Sequence, residues 1–337
     1  MKVTRCVRKL TAYTPGEQPK DKNVVKLNTN ENPYPPSPRC AAVLKRFDLD
    51  LLRRYPNPVS LNLRRALAKL NGTRIENIFV GNGSDEILSL ATRAFVENNE
   101  NIASLDPSYS LYKTLAAIRD VKWTDRPNRQ TALFLWTNPN APTGTLVEPK
   151  VIAAFQRTFK GIIIVDEAYA DFSRTNCMKL AKARGNTNLI VMRTFSKSYS
   201  LAGLRVGYCV GPKELIDALY KIKDSYNVDA LAQAVALVAV EDQAWMKRNV
   251  AKVIEEREKL TNTLRASGWD VLPSESNFIY ARPPRLCASK IFTALRARKI
   301  FVRYFPGPKT GDRIRITIGT RAQMKTLLTA LKEMKAL

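Results

Sequence analysis

Histidine is absent from all 337 residues of this chain. Its absence excludes a Ser-His-Asp triad, a Cys-His nucleophile, a histidine-ligated zinc ion and an imidazole general base. Cysteine is scarce as well: the five cysteines lie far apart and none forms a Cys-x-x-Cys pair. We therefore expect neither a disulfide framework nor a metal site. Any proton transfer must be carried out by lysine, aspartate, glutamate, tyrosine or cysteine.

Long apolar runs are also lacking. Runs such as residues 132–136 and 161–165 are far shorter than the roughly 20 residues that span a bilayer. The positively charged N-terminus is not followed by an apolar segment of the kind found in secretory signals. We therefore expect a cytoplasmic protein with no membrane partner.

Acidic residues are few relative to basic ones, 30 against 55, which gives a net charge of +25. Residues 282–315 contain ten basic side chains and a single acid, Asp312. Such an excess can indicate binding to nucleic acid or to acidic ligands. The chain has no zinc-finger spacing, basic-zipper heptad or aromatic RNA-binding motif. Nucleic-acid binding is therefore kept as an alternative of a different class, and we expect small acidic ligands as partners instead.

Short apolar runs alternate with amphipathic segments, which is typical of a parallel sheet wrapped by helices. Strands are predicted over residues 78–80, 102–105, 132–136, 162–165, 189–192 and 205–210, and helices over 84–96, 108–118, 148–159 and 177–183. After residue 225 a long helix (245–264) precedes mixed strands (278–281, 300–303, 313–317) and helices (288–298, 321–335). The sequence predicts an α/β fold, with a mostly parallel sheet covered by helices on both faces and a smaller α+β domain. The predicted division is an N-terminal arm (1–27), a large domain (28–225) and a small domain (226–337).

Lys197 stands out by its neighbours. It follows a predicted strand, lies among hydroxyl and aromatic residues, and has Arg205 eight residues further on. A lysine that is partly desolvated near a cation has a lowered pKa and can act as a nucleophilic amine. Asp166 and Tyr169 follow the end of another predicted strand. They could supply the carboxylate and the hydrogen-bond donor that a cofactor's pyridine nitrogen and phenolic oxygen require.

A glycine-rich turn, residues 81–86, leaves one predicted strand and opens a helix. The free N–H groups at Ser84 and Asp85 would face an anion, with the helix dipole behind them. Ser196 and Arg205 could complete this phosphate site. The motif also fits a simple N-cap formed by Ser84, which requires no ligand.

Several motifs together resemble the fold-type-I pyridoxal-phosphate-dependent aminotransferases. For that superfamily they are Thr194-Phe-Ser-Lys197 with Leu201-Ala-Gly-Leu-Arg205, and Asp166-Glu-Ala-Tyr169. Arg54-Tyr-Pro-Asn-Pro58, Ser108-Tyr-Ser-Leu-Tyr112 and Val302-Arg-Tyr-Phe-Pro-Gly307 resemble the narrower histidinol-phosphate aminotransferase family. The resemblance extends over nearly the whole chain.

The resemblance implies a role for each matching residue. Lys197 is similar to the lysine that bonds covalently to pyridoxal phosphate, Asp166 to the partner of the ring nitrogen, and Tyr169 to the donor to the phenolic oxygen. Tyr109 matches the aromatic residue stacked on the ring. The matches to phosphate contacts are Ser84, Asp85, Thr194, Ser196 and Arg205, with Tyr55 reaching the cofactor of a neighbouring subunit. The matches to substrate contacts are Arg315, Arg303, Tyr13 and Asn32.

One position departs from the family pattern. Ala141 stands where the family usually has an asparagine that holds the cofactor oxygen, so either Asn140 substitutes for it or Tyr169 acts alone. The resemblance implies a homodimer that transfers the amino group of histidinol phosphate to 2-oxoglutarate, forming imidazole-acetol phosphate and glutamate. An aromatic amino-acid transaminase, a threonine-phosphate decarboxylase and a nucleic-acid-binding protein on an inactive transaminase fold remain as alternatives.

Overall fold

The computed structural model describes residues 2–10, 16–21 and 23–337. Its β-strands form a seven-stranded sheet, a four-stranded sheet and a two-stranded pair. In chain order they are β1 (Val25–Lys26), β2 (Ile78–Gly81), β3 (Asn101–Ser104), β4 (Lys122–Thr124), β5 (Thr131–Thr137), β6 (Ile162–Asp166), β7 (Leu189–Thr194), β8 (Gly207–Val210), β9 (Asp270–Val271), β10 (Phe278–Arg282), β11 (Ile300–Phe301), β12 (Arg303–Tyr304) and β13 (Ile314–Thr317).

Helices fill most of the connections between these strands. They are α1 (Arg5–Lys9), α2 (Pro38–Arg46), α3 (Leu61–Asn71), α4 (Gly83–Ala94), α5 (Leu111–Ile118), α6 (Pro149–Thr158), α7 (Met178–Ala181), α8 (Lys213–Ile222), α9 (Ala230–Glu241), α10 (Gln243–Ala266), α11 (Ala288–Ala297) and α12 (Arg321–Glu333). Short 3-10 helices lie at Leu49–Arg53, Ile75–Asn77, Ala170–Phe172 and Ala202–Leu204. The alternation of strands and helices between β2 and α8 confirms the predicted α/β architecture.

The large sheet has the strand order β2-β8-β7-β6-β5-β3-β4. Adjacent strands run parallel along the part β7-β6-β5-β3-β4, whereas β8 is antiparallel to both β2 and β7. In the central strand β6, Ile163 and Val165 belong to one buried cluster and Ile164 belongs to another. Alternate side chains of a strand point to opposite faces, so helices cover both faces of this sheet, as its continuous apolar sequence predicts.

The C-terminal part of the chain forms an antiparallel sheet of order β12-β13-β10-β9, against which α10 and α11 pack, while α12 packs against α10 and β1. The N-terminal segment adds to this part of the molecule, because β1 pairs in parallel with β11. Just after β1, Asn30 hydrogen-bonds both to Thr317 of β13 and to Tyr169, which follows β6. The predicted domain boundaries stay a prediction.

The carboxyl ends of β5, β6 and β7 meet at one edge of the large sheet, because these strands are parallel and adjacent. Thr137, Asp166 and Thr194 are the last residues of these three strands. Ligands of open α/β sheets bind at this edge. Among the described residues, no helix is both long and apolar enough to cross a membrane.

Candidate active site

A cavity of about 560 Å³ opens at this edge of the large sheet and extends to the small sheet. Most of the side chains predicted to form a site line it, although they come from distant parts of the sequence. These are Ser84, Asp85, Tyr109, Asp166, Tyr169, Thr194, Ser196, Lys197, Arg205, Arg303 and Arg315. The cavity brings together the lysine, the carboxylate and the anion-binding groups that the motifs indicate.

Lys197 lies three residues beyond the end of β7, and its Nζ atom donates a hydrogen bond to the carbonyl oxygen of Thr29 over 3.3 Å. Its ammonium also lies 5.9 Å from the centre of the Tyr169 ring. Burial and the nearby guanidinium of Arg315 lower the pKa of Lys197 to about 8. A larger fraction of this amine is neutral at physiological pH than in an ordinary lysine, which suits a nucleophile and proton carrier.

Asp166 forms the floor of the cavity and is 4% exposed. One carboxylate oxygen accepts a hydrogen bond from the Tyr112 hydroxyl (2.9 Å) and the other accepts one from the backbone N–H of Ala168 (3.1 Å). Burial raises the pKa of Asp166 to about 6 despite these bonds. Among the described residues no ion pair is formed by this carboxylate. A cation placed beside it would relieve the cost of burying its charge.

The opposite end of the cavity is built to hold an anion. Helix α4 begins at Gly83, so the N–H groups of its first turn are directed toward the cavity edge lined by Ser84. A Cβ atom on Gly83 would lie 2.7 Å from Arg205 Nη2, and one on Gly207 would lie 2.6 Å from the Ser84 nitrogen. These two glycines therefore allow the guanidinium and strand β8 to approach the helix terminus closely.

The polar side chains around this terminus are connected by hydrogen bonds. Arg205 donates to the Ser196 hydroxyl and to Asp85 Oδ2, each over 3.4 Å. Thr194 Oγ1 lies 3.0 Å from Ser196 Oγ. The Tyr109 hydroxyl donates to the other oxygen of Asp85 over 3.3 Å, which holds its ring at the cavity wall. Four of the predicted phosphate contacts, Asp85, Thr194, Ser196 and Arg205, thus form one connected group.

Tyr169 is 7% exposed, and its ring packs edge-on against Phe278 with 5.1 Å between ring centres. Its hydroxyl oxygen accepts a hydrogen bond from the side-chain amide of Asn30 over 2.8 Å. Ala141 also lines the cavity but offers only a methyl group. Tyr169 is therefore positioned from two sides, by an aromatic ring on β10 and by an asparagine from the N-terminal segment.

Arg315 and Arg303 face the cavity from the small sheet. The guanidinium of Arg315 lies 5.3 Å from the centre of the Phe278 ring and 5.2 Å from that of Phe305, and it donates to the Asn28 carbonyl over 2.9 Å. Arg303 lies 5.3 Å from the same Phe305 ring. Arg303 and Arg315 lie on the neighbouring strands β12 and β13, and both guanidiniums pack over the Phe305 ring. Both side chains can therefore contact an anionic group of the substrate.

Three predicted residues do not line the cavity. The amide of Asn140 is engaged by other protein groups: its oxygen accepts from the Ser108 hydroxyl (2.9 Å), and its nitrogen donates to the Pro107 carbonyl (3.1 Å) and to Thr143 Oγ1 (2.9 Å). Asn32 donates to the carbonyl oxygens of residues 197 and 198, so it supports the lysine loop from outside. Tyr55 is 80% exposed and stacks on Tyr226. Tyr13 lies outside the described residues.

Two residues of the site were missed by sequence reasoning. Tyr112 lies three residues after Tyr109, and the only signal in the sequence was that this spacing places both tyrosines on one side of a helix; its contact with Asp166 depends on the fold. Asn30 carried no such signal, because it precedes Tyr169 by 139 residues and reaches it only through the fold. Its backbone has a φ of 57°, a left-handed conformation that asparagine tolerates better than most residues.

The cavity fits pyridoxal phosphate at each of its ends. Asp166 can hold a cationic ring nitrogen, the group around Arg205 can hold the phosphate, and Lys197 and Tyr169 line the same cavity. Fold and site together define a pyridoxal-phosphate-dependent enzyme.

Comparison with known proteins specifies the class further. Residues 22–331 match the family model described as aminotransferase class I and II, and the chain belongs to that family. A histidinol-phosphate aminotransferase of Acetobacter pasteurianus is 44% identical over 343 residues, covering 97% of this chain and 96% of that protein. Another, from Syntrophus aciditrophicus, is 40% identical over 98% of both chains. The crystal structure of the Sinorhizobium meliloti histidinol-phosphate aminotransferase in complex with pyridoxal-5'-phosphate superposes with a TM-score of 0.90, at 25% identity, over 98% of this chain and 97% of that one.

Proposed function

We propose that this chain transfers the amino group of L-histidinol phosphate to 2-oxoglutarate, which yields imidazole-acetol phosphate and glutamate in histidine biosynthesis. The observation that carries the proposal is identity of 44% and 40% to proteins named histidinol-phosphate aminotransferase, over nearly the full length of both chains. The paired guanidiniums at the cavity wall support it, because this substrate carries a phosphate.

When bound, pyridoxal phosphate supplies a ring that absorbs the electron pair left on the substrate carbon. The residues of this chain would hold the ring and move the proton. The Asp166 carboxylate would keep a proton on the ring nitrogen, and Tyr169 would donate a hydrogen bond to the ring oxygen. The Lys197 amine would take the proton from the substrate carbon that bears nitrogen, becoming an ammonium, and would then release that proton to the cofactor carbon bonded to the same nitrogen. Its pKa of about 8 leaves the amine neutral often enough for this role.

Substrate selection depends on Arg303 and Arg315. A guanidinium can form paired, charge-assisted hydrogen bonds to a phosphate, each worth about 1.5–3 kcal/mol. We expect Arg315→Ala to reduce kcat/KM for histidinol phosphate on the order of 10–100-fold. Arg285→Ala, which removes an exposed arginine outside the cavity lining, is the matched control and should leave kcat/KM unchanged.

The test is a side-by-side measurement of kcat/KM with histidinol phosphate, histidinol, phenylalanine and threonine phosphate, using 2-oxoglutarate as acceptor. We expect a strong preference for histidinol phosphate over free histidinol. A higher value for phenylalanine, or release of CO₂ from threonine phosphate, would refute the substrate and leave the aminotransferase family unaffected.

Nucleic-acid binding is not favoured by the distribution of charge. Six of the ten basic residues between positions 282 and 315 form ion pairs, and most of their acidic partners lie outside this segment. Two others, Arg303 and Arg315, line the cavity. The paired residues are Arg282, Arg296, Arg298, Lys299, Lys309 and Arg313. Counting charges along the sequence overstates the free positive charge of this segment.

A homodimer in the cytoplasm belongs to this proposal. Tyr55 lies on the surface, 80% exposed, and its ring stacks on Tyr226 with 4.3 Å between ring centres. Leu49 and Leu52 nearby are 73% and 56% exposed. Burial of this apolar surface by a second copy would remove it from water and could bring Tyr55 to the neighbouring cofactor phosphate.

A further inference from the structure

Asn30 lies at the junction between the two sheets and is 1% exposed. Its backbone N–H donates to the Thr317 hydroxyl, and its side-chain oxygen accepts from that same hydroxyl, each over 3.0 Å. Its backbone carbonyl accepts from the side-chain amide of Asn277 over 3.0 Å. Both partners belong to the small-sheet part of the chain, so three hydrogen bonds fix this asparagine to that part.

These contacts determine which way the Asn30 amide points. The Thr317 hydroxyl accepts from the Asn30 backbone, so its single proton is available for the Asn30 side-chain oxygen. A reversed amide would direct N–H groups at the hydroxyl and leave that proton without an acceptor in this cluster. The orientation that gives the Thr317 proton an acceptor places the Asn30 nitrogen against the Tyr169 hydroxyl, at 2.8 Å.

The direction of this last hydrogen bond matters for the cavity. Because the Tyr169 oxygen accepts from Asn30, the Tyr169 proton points away from Asn30. Ala141 supplies no side-chain donor at the cavity wall, and the Asn140 amide is engaged by Pro107, Ser108 and Thr143. We propose that Asn30, oriented by Thr317, is a positioning residue that directs the Tyr169 hydroxyl proton into the cavity, so that Tyr169 serves as a hydrogen-bond donor to the cofactor's ring oxygen.

Strand β13 carries both Arg315, which is proposed to bind the substrate, and Thr317, which orients the Asn30 amide. Arg315 and Thr317 lie two residues apart on β13, and side chains at this spacing share one face of a strand. Phe278 pairs with Thr317 across the sheet and packs against the Tyr169 ring. The small sheet therefore fixes both the ring and the hydroxyl of Tyr169 from the face that carries Arg315.

The first test measures the absorption spectrum of the holoenzyme against pH rather than its activity. A donor to the ring oxygen favours the more negative state of the cofactor, so losing it raises the pH midpoint of the visible band. Asn30→Asp replaces the amide donor by a carboxylate that accepts the Tyr169 proton, and aspartate tolerates the left-handed backbone. We expect the midpoint to rise on the order of 1 pH unit. Asn249→Asp, at a buried asparagine outside the cavity lining, is the control and should not move it.

A double-mutant cycle separates orientation from added charge. In a Tyr169→Phe background the Asn30→Asp change should no longer shift the midpoint, because no hydroxyl remains to be turned. An equal shift in both backgrounds would mean that the carboxylate acts by charge alone, and the proposal would be wrong.

Thr317 provides a second test that adds no charge and does not depend on folding of the Asn30 variant. Thr317→Val removes the hydroxyl that orients the amide, and we expect the midpoint to rise, by less than for Asn30→Asp. Thr317→Ser retains a hydroxyl and should restore the original value. An unchanged midpoint in Thr317→Val would overturn the proposed orientation.

A wild-type protein with no visible band after incubation with pyridoxal phosphate would refute the cofactor site itself, whereas a changed substrate preference would not affect this inference.

Discussion

Replacing Asp166 by asparagine should stabilise the cofactor-free protein while abolishing most of its activity. The carboxylate is buried and forms no ion pair among the described residues, so its charge is held at a cost. An amide can keep the existing contacts. Its oxygen can accept from the Ala168 N–H, and its nitrogen can donate to Tyr112, whose own proton then turns to Thr137 Oγ1 at 2.6 Å.

The pKa of Asp166 gives the size of the effect. Burial raises this pKa from 3.8 to about 6, and a raised carboxyl pKa lowers the free energy of unfolding as pH rises through that interval. The loss is complete above pH 6 and amounts to roughly 3 kcal/mol. With an unfolding entropy of about 2.1 cal/mol/K per residue, Asp166→Asn should raise the Tm of the 337-residue cofactor-free protein by up to about 4 °C at pH 7.5.

The assay is thermal unfolding of cofactor-free wild type and Asp166→Asn at pH 7.5 and pH 4.5. At pH 4.5 the wild-type carboxyl is largely protonated in the folded protein, so the difference in stability should shrink to about a third. Turnover of the variant with cofactor should fall on the order of 100-fold or more, because a buried cation would lose its partner. A lower Tm at pH 7.5, or a gain of the same size at both pH values, would contradict this reasoning.

Three further predictions concern the lysine and the dimer. Lys197→Ala should abolish turnover without unfolding the protein, and borohydride treatment of the wild-type holoenzyme followed by mass spectrometry should find the reduced cofactor on Lys197 and on no other lysine. The rate at which cofactor-free protein binds pyridoxal phosphate should rise with pH around a midpoint near 8, the pKa of Lys197. Arg315→Met should move that midpoint upward, because Arg315 lowers the pKa of Lys197. The control Arg285→Met should leave the midpoint unchanged. Tyr55→Phe should weaken cofactor retention in a protein that sediments as a dimer, and a fully active monomer would refute the shared site.

The centre of the site could be predicted from sequence because its residues follow strand ends. Asp166 ends β6, and Lys197 lies three residues beyond the end of β7. Parallel neighbouring strands bring such ends together whatever the loops do. The anion-binding role of the glycine-rich turn before α4 could also be predicted, because the N-terminus of a helix presents free N–H groups.

Other features depend on contacts that no local pattern encodes. Helix α9 (Ala230–Glu241) was not predicted, because it is apolar around most of its circumference and packs against α2 and α3, so it lacks an amphipathic period. Strand β8 lies next to β2 in antiparallel orientation, which the apolar run alone could not reveal. Asn32 was assigned to substrate from its motif, yet its amide is used to hold the lysine loop.

The structure also explains how this site can work without histidine. Imidazole is useful in catalysis because its ordinary pKa lies near neutrality. Here burial moves the pKa of a carboxyl group up to about 6 at Asp166, and burial together with a nearby guanidinium moves the pKa of an amine down to about 8 at Lys197. The two values bracket the range in which histidine ordinarily titrates, and both groups line one cavity. Lys197 is the group proposed to move the proton, and its burial beside a guanidinium brings the pKa of this amine close enough to neutrality for that role.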